Sequence, residues 1–125
     1  MAESFFARFS PEEIARISAA GTRVTMPEGW SPIWEDTPAE AAYIILEGRV
    51  SVLQHGTEIA RLGPGDIVGE AALAHHSLRT ASIVALTSLD LIHLGYDALE
   101  RLDQEMPSFH DALDQVASER FGTPG

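Results

Sequence analysis

The spacing of apolar residues along this chain changes character twice. From Ser10 to Gly21 it is helical. Ile14, Ile17 and Ser18 share one face. Ser10-Pro11-Glu12-Glu13 in front of them forms a capping box, with Ser10 at N-cap, Pro11 at N1 and Glu13 at N3. Phe9 and Ile14 stand at N′ and N4, where a hydrophobic staple forms. Gly21 ends this predicted helix. Phe5, Phe6 and Phe9 make a short aromatic lead-in that should dock on the rest of the fold.

From Thr22 to Leu94 the pattern becomes short runs of β-formers divided by turn residues. The runs are Thr22–Met26, Trp30–Trp34, Ala42–Leu46, Arg49–Gln54, Thr57–Leu62, Thr80–Leu86 and Leu89–Leu94. Pro27-Glu28-Gly29, Glu47-Gly48, His55-Gly56 and Gly63-Pro64-Gly65-Asp66 are among the breaks. Strands at this spacing predict a small sandwich or barrel. Ala71-Ala72-Leu73-Ala74 interrupts them with one helical turn. After Leu94 the helical period returns. Tyr96–Leu102 reads as a short helix. Ser108, with Pro107 just outside it, reads as the N-cap of a second helix, with Phe109, Leu113, Val116 and Arg120 along one face. Gly122-Thr123-Pro124-Gly125 reads as a frayed tail.

Composition narrows the function classes. A length of 125 residues suggests one domain. There are no cysteines, which removes disulfides, thiolate chemistry and cysteine-type zinc sites. No apolar run approaches the roughly 20 residues of a membrane span. The N-terminus lacks a signal-peptide layout, so a cytoplasmic location is expected. Net charge is −11 and every basic residue is arginine. Such a surface repels nucleic acid, which is not expected as a partner. A bound anion would need a local positive site, which makes each arginine worth tracing.

The segment Gly63 to Ala81 has the features of such a site. Gly63-Pro64-Gly65 makes a tight turn, and Gly69 lets backbone pass close to a ligand. The helical turn that follows presents free N–H groups, which favour anions. Arg79, nine residues after Glu70, supplies a guanidinium able to grip two phosphate oxygens. Glu70 is an acceptor suited to a sugar hydroxyl.

Gly69-Glu70-Ala71-Ala72-Leu73 together with Arg79-Thr80-Ala81 resembles the phosphate-binding cassette of cyclic-nucleotide-binding domains. Tyr43-Ile44-Ile45-Leu46-Glu47-Gly48-Arg49-Val50 looks like that family's strand-turn-strand, and Gly63-Pro64-Gly65-Asp66 like the turn before its cassette. The resemblance covers nearly the whole chain. It implies a mainly β fold: an antiparallel, jelly-roll-like β-roll with an N-terminal helix and two C-terminal helices. The implied layout is one domain over residues 1–125. Residues 1–21 are the helical start, 22–94 the roll with its cassette at 68–81, and 95–121 the lid helices. Gly69, Glu70, Ala71, Ala72, Arg79, Thr80 and Ala81 are the implied ligand-binding residues. Glu70 would accept from the ribose 2′-OH and Arg79 would pair with the cyclic phosphate. The N–H groups of Ala72 and Thr80 would add phosphate contacts. Arg120 and Phe121 are the lid candidates for the base, by stacking or cation–π contact. Val68 stands where many relatives have Phe, Leu78 where many have Pro, and His75-His76 occupy the intervening loop.

The implied function is a sensor and not an enzyme. It would have no cofactor and no metal, with cAMP as first ligand and cGMP as second, although Thr80 itself fits either purine. Its output would pass to an effector protein, a fused domain or a homodimer partner. Two other readings stay open. A β-roll that binds no nucleotide could dock a basic partner on its acidic faces. A cupin-type metal enzyme would need a His-x-His pattern that is missing here. No helix-turn-helix, Gly-x-Ser-x-Gly elbow or Walker lysine is present.

Overall fold

The computed structural model describes residues 5–31, 33, 41–69 and 81–121, with side chains through residue 116. A 3-10 turn, Phe6–Arg8, leads into helix α1, Pro11–Ala20. The strands are β1 (Thr22–Met26), β2 (Ala41–Glu47), β3 (Val50–Gln54), β4 (Thr57–Leu62), β5 (Ile67–Val68), β6 (Ser82–Ala85) and β7 (Leu89–Gly95). Helices α2 (Tyr96–Glu105) and α3 (Pro107–Phe121) follow. Among the described residues the strands form two antiparallel sheets, one ordered β1-β7-β2-β5 and the other β4-β3-β6. The mainly β, helix-flanked roll that the family resemblance implied is what forms.

Successive residues of a strand face opposite sides. In the four-stranded sheet both sides are covered, so β2 and β7 read as nearly continuous apolar runs. Ala42, Ile44, Ile67, Ile92 and Leu94 face the helices and pack with Ile17, Leu99, Leu102 and Phe109. Ile45, Val68, Leu89 and Leu91 belong to a second core with Val50, Ile83 and Ala85 of the three-stranded sheet. β4 is exposed from Thr57 to Arg61. β4 is also an edge, and its register against β3 shifts between Val52 and Leu53. Buried Ser51 donates from Oγ to Glu58 Oε2 at 2.5 Å, and Arg61 Nε donates to Glu58 Oε1 at 2.9 Å. The Ser51 hydroxyl first, and then Arg61, hold the Glu58 carboxyl below the usual carboxylate range.

The helical start forms as its sequence dictates. Glu13 N donates to Ser10 Oγ at 3.2 Å, and Ser10 N donates to Glu13 Oε1 at 2.9 Å. Phe5 is buried and meets Phe9 edge-on with ring centroids 5.1 Å apart, and Phe109 of α3 edge-on at 5.6 Å. The aromatic lead-in therefore docks on the last helix.

Several boundaries differ from the expectation, each for a local reason. Pro107 is the first residue of α3, since its fixed φ suits that place. Ser108 is not the cap. Its hydroxyl donates instead to Glu13 Oε2 at 2.5 Å and ties α3 to α1. Helix α2 continues past Leu102 to Glu105, where Met106 ends it. Of the expected run Trp30–Trp34, Pro32 and Trp34 lie outside the described residues. Trp30 N donates to Pro27 O in a turn, Trp30 O accepts from Ala85 N at 2.8 Å, and Ile33 bridges to Ile83. Trp30 is 63% exposed, which places it on the rim and not in the core. Ile67–Val68, outside the expected runs, forms a short strand by pairing with Ile44 and Tyr43.

The two sheets are joined at a corner, Gly48, where φ is +98°. A Cβ there would collide with the carbonyl oxygen of Ser88 and crowd the side chains of Leu89 and Thr87. Thr87 Oγ1 accepts from Arg49 N at 3.1 Å across the same corner. Gly48→Ala is expected to cost about 1–3 kcal/mol through backbone strain. A urea melt whose midpoint equals that of the wild type would contradict this.

A polar clasp joins the two C-terminal helices. His110 Nδ1 on α3 lies 2.7 Å from Asp103 Oδ1 on α2, and Nε2 lies 3.3 Å from Asp114 Oδ2. The bond to Asp103, then its charge and that of Asp114, raise the imidazole above its usual value. A raised folded-state value stabilises most below the ordinary histidine range and fades as pH rises through the folded value. Wild-type Tm should therefore fall more between pH 6 and pH 8.5 than that of His110→Gln, measured at low salt. Parallel curves for the two proteins would remove the clasp.

Candidate functional site

The approach to the candidate site is built by backbone hydrogen bonds. Asp66 Oδ2 accepts from Gly63 N at 2.9 Å, and Asp66 N donates to Gly63 O at 3.1 Å. This closes the Gly63–Asp66 turn on itself. Gly65 N donates to Ile45 O at 2.7 Å, and Ile45 N donates to Asp66 O at 2.9 Å, which anchors the turn to β2. Phe6 N donates to Gly65 O at 2.9 Å. The N-terminal aromatic turn thus holds the far side of the same loop. Beyond it β5 pairs with β2, Ile67 opposite Ile44 and Val68 opposite Tyr43. Both β5 side chains are buried, one in each core.

Gly69 comes next, with φ at +86°, a left-handed conformation that other residues rarely adopt. Glu70, Ala71, Ala72, Arg79 and Thr80 lie outside the described residues. The chain is described again from Ala81, which leads into β6. β5 belongs to the four-stranded sheet and β6 to the three-stranded one. The segment carrying Glu70 and Arg79 therefore connects the two sheets. Val50 pairs with Ala85 and Val52 with Ile83, and these four face the roll interior. Ala81 has the same strand parity as Ile83 and Ala85. Arg120 and Phe121 lie in the helical backbone of α3, and their side chains are outside the described part.

Several arginines are engaged elsewhere. Arg23 on β1 donates from Nε to Asp90 Oδ1 at 2.8 Å and also bonds Oδ2 through a second guanidinium nitrogen. That pair holds the Asp90 carboxyl below its usual range. Arg61 is bound to Glu58, and Arg8 Nη1 donates to Gln115 Oε1 at 2.9 Å. These pairs sit on exposed surfaces and not between the sheets.

One pair of rings escaped the sequence reading. Tyr43 of β2 and His93 of β7 are direct partners across the strands, with ring centroids 5.4 Å apart and edge-on. The signal was present in strand parity, because His93 shares a face with Leu89 and Leu91. No group of three or more metal-ligating side chains exists among the described residues.

The comparisons fit this geometry. The sequence model of the family described as "Cyclic nucleotide-binding domain" matches residues 23–105. A cAMP-dependent protein kinase regulatory subunit from Aspergillus niger is 35% identical over 94 residues, which cover 74% of this chain and 23% of that protein. A CRP-like cAMP-activated global transcriptional regulator from Mycobacterium tuberculosis is 25% identical over 121 residues, 93% of this chain and 54% of that protein. The chain thus spans about a quarter to a half of the length of these curated relatives. Among solved structures, the Thermus thermophilus catabolite activator protein superposes with a TM-score of 0.84 at 25% identity, over 94% of this chain and 57% of that one. A cyclic nucleotide-binding domain from Methylobacillus flagellatus gives 0.78 at 30% identity, over 90% and 68%.

Proposed function

Because this chain belongs to the cyclic nucleotide-binding domain family, we propose that it is a cAMP-responsive regulatory domain without catalysis of its own. The observation that carries this is the family match over residues 23–105, which contains Glu70 and Arg79. Residues 1–125 act as one domain: a helical start at 1–21, a roll at 22–94 with the cassette at 68–81, and lid helices at 95–121. Gly69, Glu70, Ala71, Ala72, Arg79, Thr80 and Ala81 contact the ligand. Glu70 accepts from the ribose 2′-OH, Arg79 neutralises the cyclic phosphate, and the N–H groups of Ala72 and Thr80 share that charge. cAMP is placed ahead of cGMP because the A. niger and M. tuberculosis relatives are named for cAMP.

The switch is a repositioning of α2 and α3 that brings Arg120 and Phe121 toward the base. Two contacts support it. The N-terminal turn donates from Phe6 N to Gly65 O just before β5, and Phe5 packs against Phe109 of α3. The ligand moves the helices only by its difference in affinity between their two positions. The output passes to an effector protein, a fused domain or a second copy in the cytoplasm. We assign no nucleic-acid contact to these residues, whose net charge is −11.

Calorimetric titration with cAMP, cGMP and linear AMP tests the site. cAMP should bind most tightly and AMP most weakly. Arg79→Ala should weaken cAMP binding by about 100-fold, as loss of a bidentate phosphate contact implies. Equal binding by Arg79→Ala and wild type would sink the assignment, and tighter cGMP would reverse the choice of base. Silence toward every nucleotide would favour the docking module.

Hydrogen exchange tests the movement. Amide protection along α3 should change when cAMP saturates the protein, while β7 stays as it was. Identical exchange in α3 with and without cAMP would rule the lid out.

A further inference from the structure

Helices α2 and α3 meet at a one-residue elbow. Met106 alone stands between them, with φ −135° and ψ 90°. Its N–H closes α2 by donating to Leu102 O at 2.9 Å, and its carbonyl opens α3 by accepting from Phe109 N at 2.9 Å. Pro107 has no N–H, so the hydrogen bond that a continuous helix would return to Asp103 O cannot form.

The His110 clasp straddles this elbow. Asp103 lies before Met106 and His110 after it, seven residues apart. In one continuous helix that separation is about 10 Å along the axis. The two side chains meet at 2.7 Å because the chain bends between them. Asp114 and Asp111 also act on the imidazole, but both belong to α3 and travel with it. Among the described residues, Asp103 is thus the charged group that faces His110 from the far side of the elbow. From the other elements packed on α3, the charged groups Glu13 and Arg8 are engaged at Ser108 and Gln115.

The ring makes the clasp depend on a proton. A carboxylate only accepts, and an imidazole offers a donor at both nitrogens only when it is protonated. Nδ1 faces Asp103 at 2.7 Å and Nε2 faces Asp114 at 3.3 Å. A neutral ring serves one carboxylate and turns a lone pair toward the other. Two further holds on α3 keep their charge state near neutral pH. Phe109, Ala112 and Val116 are held by apolar burial, and Glu13 stays ionised because its carboxyl lies below the usual range.

We propose that the elbow is a proton-operated latch: protonated His110 holds α3 against α2, and loss of that proton loosens α3 across Met106. The latch acts without nucleotide and does not rest on the ligand reading given above. The closed elbow binds the proton more tightly than the open one. Opening is therefore rarest below the ordinary histidine range and grows as pH rises through the closed-state value. The His110, Asp103 and Asp114 side chains are 53%, 41% and 73% exposed, and exposed ion pairs are weak. The shift in local opening is accordingly about threefold, and α3 stays a helix.

Amide exchange by NMR on the nucleotide-free protein, from pH 6 to pH 8.5, tests the latch once intrinsic exchange chemistry is divided out. Amides of α3 that exchange by local opening should open about threefold more at the high end, in step with the His110 ring titration in the same samples. Asp103→Asn keeps the side-chain shape and removes the charge. It should lower the midpoint of the ring titration and flatten the pH dependence of α3 opening, as His110→Gln should flatten it. Asp114→Asn should lower the midpoint yet leave a dependence, because Asp103 remains across the elbow. An α3 opening that ignores the ring titration, or an Asp103→Asn profile that overlays the wild type, overturns the latch. So does a response confined to the most protected amides, which exchange by global unfolding, since the clasp would then stabilise the fold without working an elbow.

Discussion

A sheet buried on both faces is the constraint from which the rest of this molecule follows. β7 carries it most plainly. Leu89 and Leu91 enter the core between the sheets, while Ile92 and Leu94 enter the core under the helices. Burying each such side chain is worth about 1.5–3 kcal/mol. A slip of one residue would exchange the two sets and leave both cores filled wrongly. The register of β7 is therefore fixed from both sides. Gly95 is the last residue of β7 and the N-cap of α2, so this register also sets where the C-terminal helices start. The same holds at β5, where Ile67 and Val68 each fill one core and deliver Gly69 to a defined place.

The N-terminal segment has value out of proportion to its length. Phe5 and Phe9 complete the helix-side core with Phe109, and Phe6 closes a hydrogen bond on the turn before β5. Glu13 serves α1 and α3 together, one carboxylate oxygen on the capping box and the other on Ser108. The bond to the Ser10 backbone, then that to Ser108, hold its carboxyl below the usual range. One ionised side chain thus links helix initiation to helix packing.

Most of the fold was legible because its signals are local. The capping box, the Glu47-Gly48 break and the β-former runs that become β1, β2 and β7 are written in neighbouring residues. What stayed hidden depends on partners distant in sequence. Ser108 looked like a cap until Glu13, 95 positions away, was seen to claim its hydroxyl. Ile67–Val68 is too short to show a period, and becomes a strand only through Tyr43 and Ile44. For the site, sequence spacing pointed to Glu70 and Arg79, and the described structure adds the two anchored ends between which they lie. The Tyr43–His93 contact could not be read from spacing, since it joins residues 50 positions apart by sheet register.

Among the described residues β4 is a sheet edge, and its irregularity has a consequence for how copies of the protein tolerate one another. An exposed edge strand is a template onto which another chain can add. Here the register shift near Val52–Leu53 bends the ladder, and the Glu58–Arg61 pair sits on the strand itself. A neighbouring strand laid along this edge would find its hydrogen-bond rhythm broken and charged groups to desolvate. The bulge thus works against strand addition along β4.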